Sequence, residues 1–197
     1  MALGMDNKIS ISLLQRHFER NFTLKKHEKI FAICGSTRQN SVNLELLKII
    51  ATFEKETIEL QIFTQIDYLP HYNPDIDNPE KTPIFVTEFR RKLKEADGIL
   101  ICTPEYAVGV PGTLKNALDW TVSSMEFSQK PTALITASTS GEKGHQSLLE
   151  TLKVIEAKID EKTSLLISTP KTKIKDGVIT DDETLKRVKS VIQNLIK

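Results

Sequence analysis

At 197 residues and 22.2 kDa, the chain has the size of one domain that can bury its own core. Its 27 Lys and Arg against 26 Asp and Glu leave a net charge of +1, which gives no basis for expecting a nucleic-acid or membrane-surface partner. No apolar run reaches the roughly 18 residues of a membrane span, and the N-terminal stretch lacks a signal peptide's unbroken apolar region, so a cytoplasmic location is expected.

Residues 1–28 read as an extension outside the main domain, 29–197. Within it Ile11, Leu14, Phe18 and Phe22 recur at helical spacing, which predicts a short amphipathic helix that packs on the domain or on a second subunit. "KIFAIC" (29–34) reads as a buried strand, 42–54 as a helix with Leu44, Leu47, Ile50 and Phe53 apolar, and "IELQIF" (58–63) as an alternating strand. The stretch 69–83 contains Pro70, Pro74, Pro79 and Pro83 and is expected to be irregular. A helix over 84–96, a strand "GILICT" (98–103) and a helix near 112–124 follow. Then come a strand "TALITA" (132–137), a helix over about 145–159, a strand "SLLIS" (164–168), an Asp-Gly turn at Asp176 and a closing helix from near Asp181. The two cysteines, Cys34 and Cys102, lie inside apolar runs without metal-like or CxxC spacing, and read as buried thiols in a reducing compartment.

Strands that alternate with helices of this length predict a parallel sheet covered on both faces, a three-layer, doubly wound α/β/α sandwich. Ligands of such sheets bind beyond the carboxyl ends of the strands, where the strand order reverses. That rule selects the loops 35–43, 104–112 and 138–145.

The first of them, "GSTRQNSVN", combines the unpaired N–H groups of a helix start with the Ser36, Thr37 and Ser41 hydroxyls, the Asn43 amide and the Arg38 guanidinium. This set suits a terminal phosphate. The same residues also suit a plain capping turn, with Asn40 or Ser41 as N-cap and Arg38 solvated. The loop is neither GxGxxG nor GxxxxGK[ST], which argues against a dinucleotide laid on the turn and against a P-loop. A monophosphate held mainly by hydroxyls points to flavin mononucleotide (FMN). In the second loop Tyr106 offers a flat surface for a planar heterocycle. Lys115, Asn116 and Asp119 read as helix surface, and Trp120 as core or subunit packing.

"GSTRQNSVN" followed by "PEYAVGVPGTLKNALDW" resembles the NADPH-dependent FMN reductase family, a flavodoxin-like group that includes quinone, azo-dye and chromate reductases. Its pattern is close to GSxRxxSxN and then PEYNxxxPGxLKNAxDW, and the similarity runs from about Lys29 to the C-terminus. The resemblance implies a five-stranded parallel sheet of order 2-1-3-4-5. It implies that Ser36, Arg38, Ser41 and Asn43, with the Val42 amide, hold the FMN phosphate. Pro104, Glu105, Tyr106 and Ala107 would lie along the isoalloxazine, with Ser138, Thr139, Ser140 and Gly141 at its other edge.

Two departures stand out. Ala107 replaces the Asn of PEYN, and "TSGEKGHQS" replaces a GGxxGGxRA-like run near where a nicotinamide or second substrate arrives. His145 within it reads as an exposed helix-start residue. The implied activity is ping-pong electron transfer from NADPH or NADH, through FMN, to a small acceptor such as a flavin, quinone, azo or nitro compound or chromate. Few histidines and no metal-like cluster agree with chemistry carried by the cofactor. A flavodoxin-type electron carrier and a non-catalytic flavin-binding redox sensor are the alternatives. The family also implies a homodimer or homotetramer, with the 11–22 stripe and Trp120 as candidate contacts.

Overall fold

The computed structural model describes residues 27–53, 55 and 57–197, so the 11–22 stripe lies outside the described residues. Five parallel strands form the central sheet: β1 (Glu28–Cys34), β2 (Ile58–Phe63), β3 (Gly98–Thr103), β4 (Thr132–Ser138) and β5 (Ser164–Ser168), in the order β2-β1-β3-β4-β5. Register pairs such as Ile33 with Ile101 and Ile101 with Leu134 align the carboxyl ends of the inner strands. The helices are α1 (Val42–Phe53), α2 (Ile84–Glu95), α3 (Gly112–Asp119), α4 (Glu142–Val154), α5 (Pro170–Lys173) and α6 (Asp182–Leu195).

Successive strand residues point to opposite faces, and both faces are apolar. Ile30, Ala32 and Cys34 of β1 join α1 and α6 in one core, whereas Phe31 and Ile33 join α2, α3 and α4 in the other. In the second core the rings of Phe31, Phe63 and Phe89 meet with centroids 5.2–6.1 Å apart. Both cysteines are free and buried. Among the described residues no helix is long and apolar enough to cross a membrane.

The proline-rich stretch contains two short 3-10 turns, Ile66–Tyr68 and Pro74–Ile76. It is fastened from above by α3. Asn116 Oδ1 accepts from Tyr72 N (2.8 Å), its Nδ2 donates to Pro70 O (3.0 Å), and Trp120 Nε1 donates to Pro70 O (2.8 Å). Asn116 is therefore a loop anchor and not plain helix surface, unlike Lys115 and Asp119, which pair with each other. Trp120 is fully buried against Tyr72, which removes it as a subunit contact and leaves it as core. Nearby, Arg90 and Ser123 both bond Asp77. Burial pushes the Asp77 carboxyl up, but the hydrogen bonds from Ser123 and Arg90, with the guanidinium charge, hold it below its ordinary value.

Three helix ends differ from expectation, each for a local reason. α3 stops at Asp119 because the ladder tightens to Thr121 N–Leu118 O (2.9 Å) while Arg90 Nε takes the Trp120 carbonyl (2.7 Å). α4 starts at Glu142, after Gly141 at φ 99°. It ends at Val154 in a Schellman-type stop, with Glu156 at φ 61° and Ala157 N bonded to Leu152 O (2.9 Å). After α5 a two-residue hairpin, β6 (Ile174–Lys175) and β7 (Val178–Ile179), turns through Asp176 and Gly177, both at positive φ. Asp181 caps α6 by accepting from Thr184 N (2.8 Å).

Candidate functional site

A cleft of about 350 Å³ opens at the carboxyl ends of the strands, over the point between β1 and β3 where the strand order reverses. Four loops wall it. The turn after β1 contributes Ser36, Arg38, Asn40, Ser41, Val42 and Asn43, and the loop after β3 contributes Pro104, Glu105 and Tyr106. The end of β4 adds Ala137, Ser138 and Thr139, and the segment after β5 adds Thr169 to Thr172. Of the residues expected from sequence, Thr37, Ala107, Ser140 and Gly141 do not line the cleft. A larger hollow of about 530 Å³ lies at the opposite end of β4 and is lined by residues such as Pro131, Asp160 and Asn194.

The first turn presents donors that suit an anion. Ser41 N-caps α1, its Oγ accepting from Asn43 N (3.2 Å), and Ser36 Oγ accepts from Arg38 N (3.4 Å). Both serines are more than nine-tenths buried, at 5% and 8% exposure. Among the described residues neither hydroxyl donates to a protein acceptor, so both protons are free for a ligand. Arg38 is exposed and forms no ion pair among the described residues.

Asn43, 2% exposed, has a largely internal task. Its Nδ2 donates to Ala137 O (3.2 Å) and its Oδ1 accepts from Cys102 Sγ (3.3 Å), which sews the ends of β3 and β4 to α1. One amide N–H remains for a ligand. Burial, with Cys34 as neighbour, raises the Cys102 thiol well above its ordinary value. Burial likewise raises Cys34, whose Sγ donates to Ser36 O (3.4 Å). Both sulfurs thus stay protonated and act as donors beneath the turn.

The loop after β3 is held by a tight turn in which Tyr106 and Gly109 exchange two backbone hydrogen bonds of 3.0 Å each. Its central residues, Ala107 and Val108, take φ 47° and 67°, the pattern of a type I′ turn. Tyr106 is 49% exposed at the cleft wall. The Glu105 carboxylate clasps this loop to α4 by accepting from Gly144 N (2.6 Å) in the helix's first turn. A Cβ on residue 144 would stand 2.8 Å from Glu105 Cγ and 3.1 Å from Gly109 O, so only glycine permits the clasp.

His145 is not exposed as expected from its place at a helix start. It is part-buried between strands, with Nδ1 2.8 Å from Thr136 Oγ1 and Nε2 2.9 Å from Ser164 Oγ. Burial lowers its pKa, so the ring is a neutral bridge between β4 and β5. Sequence reasoning missed the segment after β5. The strand-end rule applied to "STPKT" would have found it.

A parallel five-stranded sheet in this order, with its cleft at the switch point, is a flavodoxin-like fold. The chain belongs to the NADPH-dependent FMN reductase family, whose pattern matches residues 28–162. It is 33% identical over 177 residues to an NADPH:quinone oxidoreductase of Arabidopsis thaliana, covering 85% of this chain and 89% of that protein. It is 30% identical over 173 residues to an NAD(P)H:quinone oxidoreductase of Solanum tuberosum, covering 83% and 89%. Among solved structures, the flavoenzyme NAD(P)H:acceptor oxidoreductase FerB from Paracoccus denitrificans shares the fold at a TM-score of 0.69. It is 24% identical, and the match covers 86% of this chain and 95% of that one. The protein is thus an NAD(P)H-dependent oxidoreductase that binds FMN. The donor set of the first turn fits a flavin phosphate.

Proposed function

We propose that FMN lies in the strand-end cleft, with its phosphate on the 36–43 turn and its ring system along Pro104 to Tyr106, bordered by Ser138 and Thr139. The observation that carries this reading is the pair of buried serine hydroxyls with unspent protons, beside an unpaired Arg38 at the start of α1. Bound there, FMN supplies two-electron transfer chemistry. The protein's part is to fix it. Ser36, Ser41, the Val42 N–H and Arg38 anchor the phosphate, while the Glu105–Gly144 clasp fixes the loop that meets the ring. The half-exposed Tyr106 flanks the opening through which NAD(P)H enters and leaves before the acceptor takes its place, a ping-pong sequence.

The acceptor is a small oxidised molecule. The relatives named quinone oxidoreductases and an NADH-dependent flavin reductase subunit of Lactobacillus johnsonii, 28% identical over 182 residues, favour a quinone or a flavin. The enzyme works in the cytoplasm as a homodimer or homotetramer. An anaerobic titration of the yellow protein tests the scheme. NADPH or NADH should bleach the flavin band in the absence of acceptor, and a quinone added afterwards should restore it. Bleaching that requires both substrates together would rule out ping-pong exchange.

A further inference from the structure

The family match ends at residue 162, yet one wall of the cleft comes from later in the chain. Thr169 N–H donates to Ser138 O (3.1 Å), which joins this segment to the end of β4. The hairpin that follows is tied to the first turn of α1, where Glu45 Oε1 accepts from Gly177 N (2.8 Å). The segment is thereby held beside the start of α1, at the proposed phosphate end.

Among its side chains one group is left to offer a ligand. Thr169 sits at φ 49°, a costly conformation for a threonine. It is kept there by Thr172, whose N and Oγ1 both donate to Thr169 O at 3.0 and 2.8 Å. Thr169 Oγ1 donates to Ser168 O (2.8 Å). Both threonine hydroxyl protons are thus spent on carbonyls, and Pro170 has no N–H. Lys171 is exposed and makes no ion pair among the described residues.

The ionised side chains lining the cleft are Arg38, Lys171 and Glu105, and Glu105 is already engaged by Gly144 N. Two uncommitted cations therefore line one cleft. A phosphomonoester carries a charge of about −1.5 to −2 near neutral pH, so one guanidinium leaves much of it unbalanced.

We infer that Lys171 is a second cation for the terminal phosphomonoester of FMN, acting from the cleft wall that follows β5. The inference rests on the placement of FMN proposed above. It is tested by following FMN release from the holoenzyme on dilution, through the recovery of free-flavin fluorescence, at low and high salt. Lys171→Gln should weaken retention about fivefold at low salt, the strength of an exposed ion pair, with the gap narrowing as salt rises. Riboflavin retention, and the KM for NADPH relative to NADH, should not change. Unchanged FMN retention in Lys171→Gln, while Arg38→Gln weakens it, would overturn the inference alone. If FMN retention holds and the KM for NADPH rises while that for NADH does not, the ammonium serves the nicotinamide cofactor's 2′-phosphate and the inference is likewise overturned. If neither variant affects FMN retention, the placement of the phosphate itself fails.

Discussion

Val108 shows how single backbone angles carry cost at this site. A β-branched residue at φ 67° is disfavoured, and at 59% exposure its side chain gains little from burial. Val108→Gly should therefore stabilise the protein by about 0.5–1 kcal/mol, read as a raised urea midpoint at constant m, with FMN retained. A lowered midpoint would mean that the valine makes a contact outweighing its strain. Gly144 behaves in the opposite way. Gly144→Ala drives a methyl into Glu105 and the Gly109 carbonyl, and should cost about 1–3 kcal/mol. It should also shift the flavin absorbance, because the loop proposed to lie along the ring loses its clasp. An unshifted spectrum with full stability would show that the clasp is ornamental. Neither residue's role was legible beforehand. PEYA and GEKG name the residues, but only the meeting of two loops distant in sequence shows that 105 needs a glycine at 144.

Among the elements, the strands were the easiest to read. "GILICT" matches β3 because a parallel strand buried on both faces leaves a near-continuous apolar run, and "SLLIS" matches the edge strand β5, whose buried Leu165 and Ile167 alternate with half-buried residues. Helix ends were harder. The stop of α4 uses Glu156 in the left-handed region where a glycine would have announced it, and Gly144 disguises the start. His145 was misread for the same reason: with α4 taken to begin at 145, the ring falls at an exposed end, whereas it lies one turn in and faces the sheet. Its position has a pH consequence. Burial lowers the folded-state pKa below the ordinary 6.5, so the unfolded chain takes up the proton first as pH falls. The stability that His145 supports is complete above that value and declines as pH drops towards the folded-state pKa. Urea unfolding between pH 7.5 and 5.5 should show a loss that is smaller in His145→Gln, which keeps a donor and an acceptor but does not titrate. An equal loss in both proteins would place the pH sensitivity elsewhere.

At the scale of the molecule, two apolar cores hold a twisted parallel sheet whose carboxyl edge presents all four cleft loops. The strand-end rule recovered three of these loops from sequence because Ser, Thr, Gly and Pro mark them. The fourth was passed over because Thr169 to Thr172 cap and form a short helix before a hairpin, with no motif to flag them. The central claim is that the polar turn after β1 exists to hold a phosphate, and Arg38 tests it most directly. Arg38→Gln should weaken FMN roughly ten- to a hundredfold, as expected for a hydrogen bond to a charged group. Riboflavin, which lacks the phosphate, should bind the variant and the parent protein alike. Equal FMN affinity in the two proteins, measured by fluorescence quenching at fixed salt, would contradict the account and return the turn to the role of a helix cap.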